Sequence, residues 1–199
     1  MPPKSRLCFR AQTASGPVLA VLLIGAGLIA SCNPITNPAR FQNAELGFYV
    51  HALTGAPLAY STALVFPSKS AVRVDGSFSF DIAFDLDAQG NIVLLPAAVV
   101  GTSPTGTHRV GILKPGGTYD NALTAPTTGY VYDSVTVLRK SEPAVVQATE
   151  TTCGLSLQPY MYARIVIDSL DVPNRAMWGR AIINMNCGLR SLIIGLPTS

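Results

Sequence analysis

Ser77-Phe78-Ser79-Phe80-Asp81-Ile82-Ala83-Phe84-Asp85-Leu86 decides the fold. Phe78, Phe80, Ile82, Phe84 and Leu86 fall on one side, and Ser77, Ser79, Asp81, Ala83 and Asp85 on the other. Successive side chains of an extended chain point to opposite faces. The stretch therefore predicts a half-buried strand whose aromatic face something else must cover, with Asp81 and Asp85 turned outward. The same period recurs in Leu46, Phe48 and Val50, in Met161, Ala163, Ile165 and Ile167, and in Ala181, Ile183, Met185 and Cys187. The last register sends Cys187 into the core. Further strand-like runs are residues 63–66, 92–100 (broken at Pro96), 109–113, 130–138, 144–148 and 191–194, separated by turn clusters such as Asp75-Gly76 and Pro173-Asn174. About nine short strands at this spacing, with no sustained helical stripe, predict an all-β fold with little helix: an antiparallel β-sandwich.

Composition narrows the class. The chain has 199 residues, 48% hydrophobic and 13% charged, with 17 Gly and 15 Pro. That excludes an acidic disordered tail, a coiled coil and a basic nucleic-acid binder. The length suits one domain with a real core.

The first residues read as an address. Lys4, Arg6 and Arg10 precede Val18-Leu19-Ala20-Val21-Leu22-Leu23-Ile24-Gly25-Ala26-Gly27-Leu28-Ile29-Ala30, an uncharged apolar run. It falls short of the roughly 20 residues that span a bilayer but has the length of a signal-peptide core behind a basic segment. It ends in Ile29-Ala30-Ser31-Cys32, which resembles the lipobox of bacterial lipoproteins at all four positions. The resemblance implies diacylglycerol on the Cys32 sulfur, cleavage before Cys32, and a bilayer as partner. Two or three acyl chains on one residue hold far more firmly than the marginal single chain. Asn33, not Asp, follows the cysteine, which by analogy with enteric bacteria favours the outer membrane over the inner. The expected organisation is a removed leader, residues 1–31; a lipidated amino terminus and flexible tether, residues 32–43; and a single sandwich domain, residues 44–199.

Without the leader the charge balance changes. All 11 Asp and Glu follow Cys32, whereas three of the 14 Lys and Arg precede it, leaving 11 against 11. The basic character belongs to the leader, so no nucleic-acid partner is expected. Of the four cysteines, Cys8 leaves with the leader and Cys32 carries lipid. Cys153 and Cys187 remain, and in an oxidising compartment such a pair forms a disulfide.

Catalytic motifs are not in evidence. There is no Gly-x-Ser-x-Gly, His-Glu-x-x-His or phosphate-binding loop. The two histidines are His51, on the face with Tyr49 and Gly47, and His108, in a loop-like segment; surface or edge positions are expected for both. Asp85-Leu86-Asp87-Ala88-Gln89-Gly90 resembles the first half of a calcium loop, with Asp85, Asp87 and Gln89 as donors, but Pro96 stands where the bidentate Glu belongs. A hairpin turn is the competing reading. Tyr130 and Tyr132 share one strand face, as do Tyr160 and Tyr162; each pair offers either a stacking surface for a glycan or envelope protein, or a ladder stabilising a sheet. Trp178 beside Met177 is expected in the core or at its edge. Leu53-Thr54-Gly55-Ala56-Pro57-Leu58 with Val74-Asp75-Gly76-Ser77-Phe78 resembles turn motifs of transthyretin-like carboxypeptidase regulatory domains. That resemblance implies a transthyretin-like sandwich, with an immunoglobulin-like one the alternative.

The reading that follows is a lipid-anchored cell-envelope protein with a non-enzymatic binding or structural role and no cofactor beyond the covalent lipid. Two alternatives stand beside it: an envelope hydrolase using Asp81, Asp85 or Asp133, and a calcium-stabilised adhesion module.

Overall fold

A computed structural model describes residues 39–75, 80–101, 108–153 and 158–197. The lipobox through Cys32, and residues 76–79 of the opening stretch, lie outside the described residues. The strands are β1 (Glu45–His51), β2 (Ala63–Val65), β3 (Ser70–Val72), β4 (Ile82–Leu86), β5 (Ile92–Pro96), β6 (Val110–Leu113), β7 (Thr136–Leu138), β8 (Ala144–Thr149), β9 (Tyr160–Asp171) and β10 (Ala176–Asn184). One helical turn, α1 (Ala97–Val100), follows Pro96. Two five-stranded sheets result, ordered β1-β10-β9-β8-β6 and β3-β2-β4-β5-β7. Every pairing within them is antiparallel. The all-β sandwich predicted from alternation is the fold.

The two inner faces supply one core. Phe48 and Val50 of β1, Ile165 and Ile167 of β9, and Met177 and Ile183 of β10 pack with Leu64, Ile82, Phe84 and Leu94 of the other sheet. The Phe48 and Phe84 rings meet at 5.5 Å between centroids, tilted by 41°. Gly179 sits at a bulge in β10. A Cβ there would stand 2.4 Å from the Val166 carbonyl oxygen and 2.6 Å from the Phe48 ring, so only glycine lets the strands and that ring close together.

Several elements differ from the sequence reading, each for a local reason. The chain bends at Asp81, so Phe80 leaves the main core and joins Ala63, Ala83 and Ala97 in a small cluster on the other side of β4. The run from Tyr130 to Leu138 is a strand only over its last three residues, because Tyr130 and Tyr132 lie across the outside of the first sheet. Residues 191–194 contribute a single bridge, Thr124 to Ser191. The expected tether loses its last residues to the fold: Asn186 Oδ1 accepts from the Arg40 and Phe41 amides at 2.6 and 2.9 Å, and Asn43 bridges to Gly195.

Cys153 and Cys187 stand in disulfide geometry, Cα atoms 5.5 Å apart. Cys153 is buried in the main core, and Cys187 packs against it from a partly buried position. The pair spans β9 and ties the turn after β8 to the turn after β10.

Candidate functional site

Two groups of side chains stand out, at opposite ends of the first sheet. The first is a row of exposed rings where β1 and β10 pair. Tyr49 and Trp178 are cross-strand partners. Inward Phe48 and Val50 alternate with outward Tyr49 and His51, and inward Met177 precedes outward Trp178. Tyr49 meets Trp178 at 4.7 Å between centroids and His51 edge-on at 4.9 Å. Tyr60, from the loop before β2, stacks on His51 at 4.2 Å. The Tyr49 hydroxyl lies 3.1 Å from His51 Nε2. Trp178 is 43% exposed, so its expected place in the core or at its edge is corrected. The inward position belongs to Met177, and one residue along a strand reverses the face. His51 takes the outward face its register indicated.

The second group gathers Asp81, His108 and Glu150, one potential ligand atom from each lying within 4.8 Å of the others. Asp81 precedes β4, His108 precedes β6 and Glu150 follows β8, so three strand termini meet at this end. Asp81 was expected outward; it is 2% exposed. Its Oδ2 accepts the Phe66 amide at 2.6 Å, and its buried Oδ1 has no hydrogen bond. That Oδ1 lies 3.2 Å from His108 Nε2, within ion-pair reach but outside hydrogen-bond geometry. His108 Nδ1 is 2.8 Å from the Thr149 carbonyl and 3.9 Å from Glu150 Oε1. The Asp81 carboxylate holds the His108 ring above its usual pKa, with Glu150 adding to it and burial opposing. Burial, and then the Asp81 charge, push the Glu150 carboxyl up, while His108 pulls it down.

The other candidate residues have partners of their own. Asp85 Oδ1 meets Arg175 Nη2 at 2.8 Å, and Asp85 Oδ2 accepts the Thr54 hydroxyl at 2.5 Å. Asp87 accepts the Gln89 and Asn91 amides at 2.9 and 2.8 Å, closing the turn between β4 and β5. Asp85, Asp87 and Gln89 thus lie at a hairpin turn, with the Arg175 guanidinium on Asp85. Asp81 and Asp85 stand about 13 Å apart along an extended chain, beyond the roughly 5–9.5 Å of a glycosidase carboxylate pair. Asp133 is exposed in a turn.

Tyr130, Tyr132, Tyr160 and Tyr162 form a packed layer rather than an open platform. Tyr162 is buried with Ala122, Ala125, Val145 and Leu192, and Tyr130 and Tyr160 pack against them. Tyr132 donates to Gln147, whose Nε2 donates to the Tyr162 hydroxyl at 3.0 Å. Gly111 makes room, since a Cβ there would stand 2.6 Å from the Tyr132 ring. Nearby, Arg164 is buried with its guanidinium 4.4 Å over the Tyr119 ring and donates to the Tyr119 carbonyl at 2.7 Å.

Burial raises the phenol pKa of Tyr119 to about 12 and pushes up those of Tyr130, Tyr132 and Tyr162. A phenol raised by folding stays protonated in the folded chain while the unfolded chain loses its proton. Stability is then intact below pH ~10 and falls as pH rises toward 12. In a spectrophotometric titration, part of the tyrosinate absorbance is expected only above pH ~11 in the folded protein, against a single titration near pH 10 in denaturant. Identical curves would contradict the packing.

Among the described residues no helix is long and apolar enough to cross a membrane. Compared with protein-family models, with curated proteins and with solved structures, the chain finds no match.

Proposed function

We propose that this protein is a lipid-anchored cell-envelope protein whose β-sandwich binds glycan through the aromatic row of Trp178, Tyr49, His51 and Tyr60. The observation that carries the reading is the row itself: four rings in continuous contact, on an outer face, three of them exposed. The π faces of such rings suit the flat C–H faces of sugar rings, and hydroxyl and imidazole edges supply hydrogen bonds. A core residue gains nothing from that placement, since apolar surface left in water forfeits about 25 cal/mol per Å².

The address at the front of the chain supports the location. The lipobox-like Ile29-Ala30-Ser31-Cys32 implies acylation of Cys32, and Asn33 favours the outer membrane. The Cys153–Cys187 pair suits an oxidising compartment. A short tether then joins lipid to a folded body that begins near Arg40.

Trp178 is the chain's single tryptophan, so its fluorescence reports directly on the row. Soluble cell-wall oligosaccharides are expected to shift or quench its emission in a saturable way. Tyr49→Ala is expected to weaken binding by about tenfold or more, one stacking contact being worth roughly 1.4 kcal/mol, while lowering the stability by about 1–2 kcal/mol through loss of its contacts with Trp178 and His51, too little to unfold the domain. Emission indifferent to peptidoglycan fragments and other envelope glycans, or Tyr49→Ala binding as the parent does, would overturn the proposal.

A further inference from the structure

We propose that Asp81, His108 and Glu150 bind a divalent transition-metal cation of the zinc(II) class. The site lies at the end of the first sheet away from the aromatic row, and its existence does not depend on glycan binding.

The argument begins with His108. Its Nδ1 lies 2.8 Å from the Thr149 carbonyl, which can only accept, so Nδ1 carries a hydrogen. Nε2 then presents a lone pair, or an added proton, toward Asp81 Oδ1 at 3.2 Å. With the ring neutral, two electron-pair donors face each other. A proton on Nε2 or a metal cation between them resolves that, and the buried Oδ1, which has no hydrogen bond, is turned toward the place where either would sit. A buried charge in that condition is costly unless it is paired or ligates a metal.

The spacing fits a metal. Bonds of about 2.0–2.2 Å place neighbouring ligand atoms roughly 2.9–3.4 Å apart in octahedral or tetrahedral sites. The separation between Asp81 Oδ1 and His108 Nε2 is one such edge. Glu150, whose side chain is largely buried, brings a carboxylate oxygen within 4.8 Å of the other two ligand atoms and completes the set.

Each ligand is also held from behind, as metal ligands commonly are. The imidazole is oriented by the Thr149 carbonyl, and the Asp81 carboxylate by the Phe66 amide. The Glu150 backbone is fixed by its carbonyl accepting from the Cys153 amide at 3.0 Å, next to the disulfide. Two carboxylates and a neutral imidazole balance a 2+ ion. One nitrogen with two oxygens suits zinc, whereas calcium takes oxygen alone. Three protein ligands leave a coordination position for water.

The test uses the untagged full-length chain in detergent, disulfide intact, free thiols alkylated, stripped of metal by chelator and then dialysed against zinc chloride alone. One zinc per chain is expected by elemental analysis, with a higher melting temperature and a large shift of the His108 Nε2 resonance. His108→Gln is expected to abolish binding. Glu150→Gln, which keeps the side chain's size and one carbonyl oxygen while removing its charge, is expected to weaken it about tenfold or more, with the melting temperature of the metal-free chain measured beside it. Substoichiometric zinc on the parent chain, an unmoved Nε2 resonance, or undiminished binding by Glu150→Gln would overturn the proposal.

Discussion

Replacing Cys153 and Cys187 together by alanine is expected to lower the unfolding free energy by about 3–4 kcal/mol. The pair closes a loop with a sequence separation of 34, and cross-links of that span remove this much freedom from the unfolded chain. For a body of this size each kcal/mol moves the melting temperature by about 2–4 °C, so a fall of roughly 10 °C is expected in calorimetry. Reduction without mutation is expected to produce a similar fall, and the double variant is expected to be insensitive to reductant. A melting temperature the same with and without reductant would show that the two sulfurs are not joined. The change also reaches the Asp81–His108–Glu150 group, because Cys153 donates to the Glu150 carbonyl. Loss of the cross-link loosens the turn that carries Glu150 without touching the aromatic row at the other end of the sheet.

Phe84→Ala is expected to cost about 3–5 kcal/mol, the range for emptying a well-packed aromatic site. Phe84 is fully buried in the middle of β4 and is one of the side chains on which the two sheets meet, with its ring against Phe48 of β1. The void cannot close easily, since its walls are strands from both layers. A urea midpoint lower by about 2 M with an unchanged slope is expected. Val137→Ala in the same sheet, on an exposed side chain, is expected to change stability by about 0.5 kcal/mol or less. A Phe84→Ala loss under about 1 kcal/mol would mean the aromatic face of β4 is not the sandwich core.

The fold was legible wherever one strand face is apolar and the other polar. β1, β4, β9 and β10 all follow that rule, and the pairing of Cys153 with Cys187 follows from which cysteines remain. β3 escaped notice because Ser70-Ala71-Val72 is a three-residue edge strand of half-buried side chains with no contrast between its faces. Residues 130–135 mislead for the opposite reason. Tyr130 and Tyr132 do alternate, but they cover Gly111 and the Gln147 side chain from outside instead of pairing in a ladder.

The candidate sites were less legible, and the physical reason is that strand termini and register create them. Tyr49 and His51 were placed on a common outward face by alternation alone. Trp178 was not, because an aromatic next to a methionine satisfies either face until the register with β1 is known. Asp81 looked outward because alternation assigns a face without regard to the bend that follows residue 80. Nothing in chain spacing brings His108 and Glu150 to it; the pairing of β6 with β8, and the packing of β6 against β5 of the other sheet, does.

The account rests on an exported, acylated chain carrying a cross-linked sandwich, and intact-mass spectrometry of the protein purified from native membranes tests it most directly. The expected species begins at Cys32, carries the mass of a diacylglycerol with or without a further acyl chain, and is two hydrogens lighter for the Cys153–Cys187 bond. A chain that retains residues 1–31, bears no lipid and alkylates at both Cys153 and Cys187 without reductant would contradict it.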